Sequence, residues 1–479
     1  MHPLRQLMYP SSIAFWGASN NPMKMGTMQL ANILGTGYLG QVFPIHPTET
    51  TVMGLPAFKS ISDVGSPVDL AQLTIPTEVV PRVLDECGKA GIRRAIVISG
   101  GFKEVGGDRG KQLEKEITDI ARTHGIRFLG PNCVGIFNTL LDLNSTTIPL
   151  PPGGGKIAFA SQSGAYTAMI NPFLKSQGIR MCQTLSVGNE ADIDLVDCLD
   201  YLEDEPQVEA IGLYIETVRR PREFLRSARR VSRKKPVIAI YVGGTEAGSR
   251  SSLSHTGALS GPDAVYDWLF EQAGVIRAFD VDQMFDFLRA LASQPAPAGE
   301  RMAVISNSGG PGSSLAYHVE KAGLSVPLFS DELSRRLYAI TGRLAYVRNP
   351  IDLTFDTNTG LFKQLLETVF ESGEVDGAFM YGLFGGPDFI VNLAKRFPDF
   401  AKLGEAWKAG YTEFIGELSR VPEAFDMPLV VMSFFGADSP TVSPLVEGDI
   451  PVYPSASRAA RAMKALLDYR RIRDTEGGG

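Results

Sequence analysis

The chain has 479 residues, too many for one ordinary core, and this length predicts roughly three domains of about 150 residues each. Hydrophobic residues make up 44% and charged residues 21% of the composition, which excludes a disordered chain and a membrane protein. Lys and Arg number 46 against 53 Asp and Glu, so the formal charge of -7 argues against a nucleic-acid partner.

The cysteines and the first residues indicate the compartment. Cys87, Cys133, Cys182 and Cys198 lie far apart, and no pair has the spacing of a metal or redox site. We therefore expect free thiols in a reducing environment and no bound metal. Because there is neither the apolar core of a signal peptide nor a run of ~18 apolar residues, we expect a cytoplasmic protein with no membrane partner.

Short apolar runs alternate with helical patterns in three successive series, which predicts α/β units on parallel sheets. In the first series we predict a helix near residues 27–34 and strands at 13–17, 42–46, 68–75, 94–99 and 127–129. In the second series we predict a helix from residue 164 and strands at 156–160, 183–187, 210–214 and 237–241. The third series begins with a strand at 301–306.

Two segments rich in Pro, Gly and Ala, at 151–155 and 293–299, are interpreted as linkers between domains. The predicted limits are 1–145 for the first domain, 146–297 for the second, 298–468 for the third and 469–479 for a flexible tail. The segment 382–421 carries several aromatic residues. It is interpreted as extra amphipathic helix, with a lid or a subunit-contact surface as the alternative.

A loop of small residues follows the first predicted strand, and we single out Gly17, Ala18, Ser19, Lys24 and Gly26. Small residues let backbone amides approach a phosphate at a helix N-terminus, and Lys24 can add a positive charge. The loop therefore indicates a nucleotide-bearing ligand, with a plain strand-to-helix turn as the alternative. Its spacing is not Gly-x-Gly-x-x-Gly, which argues against a dinucleotide-dependent dehydrogenase.

Other loops are predicted at the carboxyl ends of the same strands. In an open parallel sheet the ligand crevice lies beyond these ends, so the loops can form the walls of one site. The residues singled out there are Pro44, His46, Pro47, Ser99, Gly100 and Asn132.

The second and third series open with similar turns of Ser and Gly before a helix. The first contains Ser161, Gln162, Ser163 and Gly164, and the second contains Ser308, Gly309 and Gly310. Each turn offers backbone amides, hydroxyl groups and the positive end of a helix dipole. Two such helix starts directed at one point would hold a phosphate, although either alone can be an ordinary N-cap.

A stretch of small and polar residues, 243–261, surrounds a single histidine, His255. We interpret it as a mobile loop rather than part of a core. A neutral imidazole can attack phosphorus and pass the phosphoryl group onward, although most loop histidines have no such role. Glu216, at the end of a predicted strand, can accept a proton from this imidazole and fix its tautomer; its alternative role is a charge at a helix N-terminus.

These motifs, in this order and spacing along nearly the whole chain, resemble the ADP-forming (NDP-forming) acyl-CoA synthetases, relatives of the succinyl-CoA synthetases. The segments that carry the resemblance are 17–19, 130–135, 161–165, 188–192, 245–248, 254–258 and 349–354.

The resemblance implies an α/β fold with an N-terminal CoA-binding Rossmann domain and two flavodoxin-like domains of the succinyl-CoA synthetase type. It implies that His255 is a phosphocarrier steadied by Glu216, that the two Ser and Gly turns bind phosphate, and that the loops of the first domain bind CoA. The implied reaction interconverts acyl-CoA, phosphate and ADP with acid, CoA and ATP, through an acyl phosphate and a phosphohistidine.

The resemblance also implies a partner, because the family needs an ATP-grasp domain and no segment of this chain is left to supply one. We expect ADP or ATP with Mg²⁺ on that subunit, in a heteromer such as α2β2. The chain departs from the family pattern at Tyr241 and Gly244, where a Lys and an Arg are common. This departure keeps open a second hypothesis, a CoA-binding or acyl-CoA-binding regulatory protein without catalytic turnover.

Overall fold

The computed structural model describes residues 2–149, 154–250, 261–342, 345–356, 358–382 and 392–474. Its three large sheets follow one another along the chain, and the parallel strands of each have the same order, 2-1-3-4-5, counted within the sheet. This order is that of doubly wound α/β folds. The predicted fold class, a Rossmann-type domain followed by two flavodoxin-like domains, is confirmed.

The first sheet is entirely parallel, with β2-β1-β5-β6-β7 as neighbours. All five residues of β1 are buried, as expected for a strand covered by helices on both faces. Its elements are α1 (Pro3–Met8), β1 (Ser12–Trp16), α2 (Met25–Gly35), β2 (Gln41–Ile45), the hairpin β3 (Thr51–Val52) and β4 (Leu55–Pro56), β5 (Leu70–Leu73), α3 (Val80–Lys89), β6 (Arg94–Val97), α4 (Gly107–His124) and β7 (Arg127–Leu129).

The second sheet has seven strands and is mixed, because the chain enters it through an antiparallel hairpin before its parallel strands begin. The hairpin lies within the predicted first domain of 1–145, and in the structure it extends the second sheet and covers one edge of it. The elements are β8 (Ile136–Asn138), β9 (Leu143–Asn144), β10 (Ile157–Ser161), α5 (Gly164–Ala168), α6 (Asn171–Ser176), β11 (Met181–Ser186), α7 (Leu195–Leu202), β12 (Ala210–Ile215), α8 (Pro221–Ser232), β13 (Val237–Tyr241), α9 (Asp263–Ala273) and β14 (Ile276–Ala278).

The third sheet has six strands, of which the short edge strand β16 is antiparallel to its neighbour. The elements of this region are α10 (Val281–Leu291), β15 (Met302–Ser306), α11 (Gly309–Lys321), α12 (Asp331–Thr341), β16 (Tyr346–Val347), β17 (Ile351–Asp352), α13 (Thr359–Glu371), β18 (Gly377–Tyr381), α14 (Ala401–Leu418), α15 (Val421–Phe425), β19 (Leu429–Met432), α16 (Ser443–Glu447), β20 (Val452–Tyr453) and α17 (Ala456–Asp474).

The chain divides into two compact units, the first formed by residues 1–175 and 180–280, the second by 176–179 and the residues from 281 onward. The first two sheets share the first unit because one apolar cluster joins them, with Phe15 and Leu129 on one side and Leu185 and Leu199 on the other. No helix within the described ranges is long and apolar enough to cross a membrane.

Helix α10, which falls in the predicted second domain, belongs to the second unit. Arg458 of α17 donates two hydrogen bonds, of 2.6 and 2.8 Å, to the carboxylate of Asp286 on α10. Helix α17 itself continues through residues 469–474, which were predicted to belong to a flexible tail. Arg470 pairs with Asp474 at 2.9 Å one turn later, while residues 475–479 lie outside the described part of the chain.

The aromatic segment 382–421 is described only from residue 392 onward. There α14 buries Ile415 and Leu418 in the core of the third sheet, and Tyr411 donates a 3.0 Å hydrogen bond to the backbone of Thr441. Trp407 on the same helix is 41% exposed. For these residues the packing agrees with an amphipathic helix on the domain surface.

Candidate active site

The strand order of the second sheet reverses between β10 and β12. From β10 the chain continues to β11 on one side of the sheet, and from β12 it continues to β13 on the other side. In doubly wound sheets such a point, at the carboxyl ends of the strands, is the usual ligand site. Ser161 pairs with Tyr214 across these strands. Gln162 is the first residue after β10 and Glu216 is the first residue after β12, so the fold brings two of the predicted site residues together.

The side chain of Gln162 is 6% exposed, and all of its hydrogen-bonding capacity is used by the protein. Its Oε1 accepts hydrogen bonds from the backbone amides of Glu216, at 2.6 Å, and Thr217, at 3.1 Å. Its Nε2 donates to the carbonyl of Thr217, at 2.7 Å, and to Oε2 of Glu190, at 2.8 Å. The amide therefore joins β10, the end of β12 and the segment that contains Glu190.

Glu190 is a buried carboxyl group, 2% exposed, whose second oxygen accepts a 2.9 Å hydrogen bond from the backbone of Leu195 at the start of α7. Burial raises the pKa of Glu190 to about 8, with the negative charge of Asp194 adding to the shift. Its backbone φ of +53° is in the left-handed region. The segment 188–192 carries part of the family resemblance, but the sequence alone assigned Glu190 no role.

A cleft of about 250 Å³ opens beside the turn that contains Gln162 and Gly164, and its walls come from the loops of both sheets of the first unit. It brings together two residues predicted to bind CoA, Gly100 and Asn132, with two predicted to bind phosphate, Gln162 and Gly164. Three further lining residues belong to loops that were predicted to form the site, Met25 to the first glycine loop and Cys133 and Val134 to the loop of Asn132. The other lining residues, Ile98, Thr147, Gly188 and Asn189, were not assigned to the site.

Two glycines allow the walls of this cleft to approach each other. A Cβ on Gly164 would lie 2.6 Å from Cγ1 of Val134. Gly188 has a φ of +55°, and a Cβ there would lie 2.3 Å from the carbonyl oxygen of Pro131. Side chains at either position would push the loop 130–135 away from the second sheet.

A polar network around Asn189 connects the segment after β11 to loops of the first domain. Lys103 donates to the carbonyl of Asn189 at 2.7 Å and pairs with Glu114 at 3.0 Å. The side-chain amide of Asn189 donates to Glu104 at 2.6 Å and accepts from Asn132 at 3.3 Å. The loop carrying Gly100 and the loop carrying Asn132 are therefore fixed to the second sheet.

The first glycine loop closes tightly around the start of α2. Gly17 has a φ of +100°, and a Cβ there would lie 1.8 Å from the carbonyl oxygen of Thr74. A Cβ on Gly26 would lie 2.4 Å from the carbonyl oxygen of Gly17. Ala18 and Ser19 are buried, and Lys24 is exposed as the residue before α2. These positions agree with a helix N-terminus left open to a phosphate.

The other residues predicted to bind CoA differ in exposure. Pro44 is buried inside β2, where it pairs with Phe15, and Pro47 is exposed. Nδ1 of His46 accepts a 3.0 Å hydrogen bond from the backbone of Glu49, so the neutral ring carries its proton on Nε2. The hydroxyl of Ser99 donates to the carbonyl of Ile75. None of these four residues is among those that line the cleft of the first unit.

The predicted phosphocarrier His255 lies within residues 251–260, outside the described part of the chain. Glu216, 7% exposed, follows the end of β12 beside Gln162. The ring of Tyr241 stacks on that of Tyr266 with centroids 3.5 Å apart, and its hydroxyl donates to the carbonyl of Gly261 at 2.6 Å. One departure from the family pattern thus contacts Gly261, the last residue of the stretch 243–261 that contains His255.

The second departure, Gly244, leaves room for a carboxylate. A Cβ on Gly244 would lie 2.1 Å from Oδ1 of Asp263. That carboxylate pairs at 2.5 Å with Arg277 of β14, which also pairs with Asp267. A guanidinium is therefore present near this position, but two acidic side chains neutralise it.

The two Ser and Gly turns have the same internal hydrogen bonds. The hydroxyl of Ser161 accepts from the backbone of Ser163 at 3.0 Å and donates to its carbonyl at 2.8 Å. Ser306 has the same pair of bonds with Ser308, at 3.1 and 2.7 Å. The turns lie in different units. A carboxylate adjoins the second one, because a Cβ on Gly309 would lie 2.9 Å from Oδ2 of Asp352.

Comparisons with known proteins agree with this architecture. Residues 11–139 match the family described as CoA binding domain, and residues 154–291 match the succinyl-CoA ligase like flavodoxin domain. The ADP-forming acetate–CoA ligase II subunit alpha of Pyrococcus furiosus is 40% identical over 72% of this chain and 74% of that protein. The corresponding I subunit alpha is 32% identical over 97% of both chains.

Solved structures give the same assignment. Acetyl-coenzyme A synthetase 1 of Ca. Korarchaeum cryptofilum, solved in complex with phosphate and ADP, is 34% identical, with a TM-score of 0.85 over 99% of this chain and 98% of that one. The resemblance stated from the sequence motifs is thereby confirmed, and the chain belongs to the ADP-forming acyl-CoA synthetases as an alpha-type subunit.

Proposed function

We propose that the chain is the CoA-binding and phosphohistidine-carrying subunit of an acid–CoA ligase that interconverts acyl-CoA, phosphate and ADP with acid, CoA and ATP. Family membership supports the reaction. The observation that carries the assignment to this chain is the cleft in which Gly100 and Asn132 of the first domain meet Gln162 and Gly164 of the second. One cleft can then hold the thioester beside the phosphate.

The proposed chemistry has three transfers. A phosphate oxygen attacks the thioester carbonyl, which forms an acyl phosphate and releases the CoA thiol. The imidazole of His255 then attacks phosphorus, and the acid leaves as a carboxylate. Finally the phosphoryl group passes from the imidazole to ADP. For His255 to serve both steps, its loop has to move between two sites.

Glu216 is proposed to hold the imidazole of His255 in the tautomer that leaves the attacking nitrogen unprotonated. A carboxylate that accepts a proton from the other ring nitrogen also stabilises the imidazolium-like charge of the phosphorylated ring. The position of Glu216 supports this role, since it is buried at the carboxyl end of β12 beside the predicted phosphate turn.

For CoA, the first glycine loop and the loops of Gly100 and Asn132 are the proposed contacts. The open start of α2 suits a phosphate group, and Lys24 lies next to it. His46, Pro47 and Ser99 remain proposed contacts to CoA, although none of them lines the cleft. Pro44 can contribute only through its neighbours, because it is buried within β2.

For phosphate, the turn before α5 is the better supported of the two. Amides in the first turn of a helix have no acceptor within that helix, and Gly164 lines the cleft. At the turn of Ser308, Gly309 and Gly310, the carboxylate of Asp352 would repel a bound anion. The use of both turns for one phosphate stays a prediction.

A partner with an ATP-grasp domain is proposed to bind ADP or ATP with Mg²⁺. The alpha-subunit names of the two Pyrococcus furiosus relatives support a heteromer for this chain, for which α2β2 is one arrangement.

The function is tested by combining the chain with candidate ATP-grasp subunits and measuring thiol release from acetyl-CoA. We expect sustained release, over many turnovers, that requires phosphate, ADP and both chains, and that His255→Ala abolishes. His124→Ala is the matched control, because His124 pairs with Asp85 at the surface of the first domain. CoA binding by the chain, with no thiol released alongside any partner, would support the regulatory alternative.

A further inference from the structure

The segment that follows β11 places two neighbouring side chains on opposite sides. Asn189 faces the loops of the first domain, where it contacts Glu104 and Asn132. Glu190 faces the interior of the second domain, where it contacts Gln162. Hydrogen bonds from two adjacent residues therefore connect this segment both to the proposed CoA loops and, through Gln162, to the end of β12.

We infer that Glu190 is a positioning residue for the proposed reaction, which acts through the amide of Gln162 to fix Glu216 at the end of β12. The inference rests on the proposed function, because it concerns the placement of the carboxylate that is to hold His255.

The amide of Gln162 has one defined orientation. A glutamine amide can be turned by 180°, which exchanges its oxygen for its nitrogen. Here only one orientation works, because Oε1 must face the amides of Glu216 and Thr217 while Nε2 faces Glu190. The carbonyl of Thr217 accepts from the same Nε2, and the acceptor oxygen of Glu190 takes its second N–H, so Glu190 reinforces the orientation that the backbone groups favour.

The contacts at position 190 suit a carboxyl group better than an amide. Leu195 N and Gln162 Nε2 are both donors, and they approach different oxygens of Glu190. A carboxyl group offers two acceptor oxygens, whereas an amide of the same shape would meet one of these donors with its own N–H. Asp194 already caps α7 by accepting from Val196 and Asp197, so helix capping alone does not require Glu190.

The position of Glu216 depends on these hydrogen bonds. Its backbone amide is held at 2.6 Å by Gln162, and the adjacent Thr217 is held by both its N–H and its carbonyl. Without these hydrogen bonds, the backbone at the end of β12, which carries the carboxylate of Glu216, can shift. A displacement of about 1 Å can cost up to about a hundredfold in rate.

The test uses radiolabelled acetyl phosphate, which transfers its phosphoryl group to the imidazole and leaves acetate. The full-length chain is compared with Gln162→Ala, with Glu190→Gln and with the double variant. Glu190→Gln keeps the size of the side chain, so it still tests the inference if Gln162→Ala prevents folding. Phosphohistidine formation, CoA dissociation constant and melting temperature are measured for each.

A second buried Gln and Glu pair in the second domain provides the control. Gln183 donates to Glu205 at 3.2 Å, and it is aligned with Ala158, toward the opposite end of β10 from Gln162. Gln183→Ala should lower the melting temperature while leaving the phosphorylation rate within about twofold of the unmodified chain.

We expect each site variant to slow phosphorylation by about tenfold or more, with CoA affinity within about twofold. Because both residues act on Glu216 through one amide, the double variant should be no slower than the slower single variant. Unchanged rates, or single effects that multiply in the double variant, would overturn the inference. If the unmodified chain takes up no label on histidine, the proposed function itself fails, and this inference with it.

Discussion

Gly164, the first residue of α5, lies against Val134 so closely that a Cβ on the glycine would be 2.6 Å from Cγ1 of the valine. The contact joins the proposed phosphate turn of the second domain to the loop 130–135 of the first. It is one of the places where the wall of the cleft depends on the absence of a side chain.

The first prediction concerns this contact. Gly164→Ala should raise the KM for phosphate and lower kcat/KM by about tenfold, because the new methyl group pushes the turn away from Val134. Steady-state thiol release measures both parameters. Val134→Ala in the same chain removes the obstructing methyl groups and should restore most of the activity. A double variant as impaired as Gly164→Ala would contradict the steric explanation.

The second prediction concerns Gly188. Its φ of +55° and the carbonyl of Pro131, 2.3 Å from the Cβ position, combine strain with a backbone clash. Gly188→Ala should lower the free energy of unfolding by about 3 kcal/mol or more. Gly54 is the matched control, since it has a φ of +82° and a Cβ there would have no heavy atom within 4 Å. Gly54→Ala should cost only about 1 kcal/mol in urea unfolding; equal costs would argue against the clash.

The third prediction concerns the helix α10. Arg458→Ala leaves Asp286, 2% exposed, without its two shortest hydrogen bonds from a guanidinium. We expect a loss of about 1.5 to 3 kcal/mol in the unfolding of the second unit, because a buried carboxylate loses two hydrogen bonds and keeps its pair with Arg289 at 3.1 Å. Arg336→Ala removes an exposed pair with Glu371 and should cost less than about 1 kcal/mol. Similar losses in the two variants would contradict the role of burial.

The fourth prediction is a pH dependence. The pKa of Glu190 is raised from 4.5 to about 8, so the folded chain binds this proton more tightly than the unfolded chain. Its contribution to stability is complete below pH 4.5 and is lost as the pH rises through about 8. Glu190→Gln removes this proton, so the stability advantage of the unmodified chain should fall between pH 5 and pH 9. Urea unfolding at several pH values measures the difference, and an advantage that grows with pH would contradict the shift.

Much of the fold followed from the sequence because buried parallel strands are continuous apolar runs between small residues. The predicted strands at 13–17 and 210–214 lie within one residue of β1 and β12. The antiparallel hairpin of β8 and β9 was missed as a part of the second sheet. Its strands have only three and two residues, which is too short for the alternation of apolar and polar residues to be recognised.

The candidate site was harder to predict, because its contacts join residues far apart in the chain. Gln162 was selected as a phosphate ligand from its place in a helix-start turn, but its side chain bonds to groups 28 and 55 residues away. No local pattern reports such pairings. The single glycine at 188, in the motif 188–192, was the available signal, since a glycine at positive φ beside a loop marks a close approach of two backbones.

The most direct measurement is the location of the phosphoryl group after the chain reacts with acetyl-CoA and radiolabelled phosphate. The account predicts a label that resists base, is lost in acid and maps to the peptide containing His255, and that is absent in His255→Ala. A stable label on another residue, or full turnover by His255→Ala, would contradict the phosphohistidine mechanism.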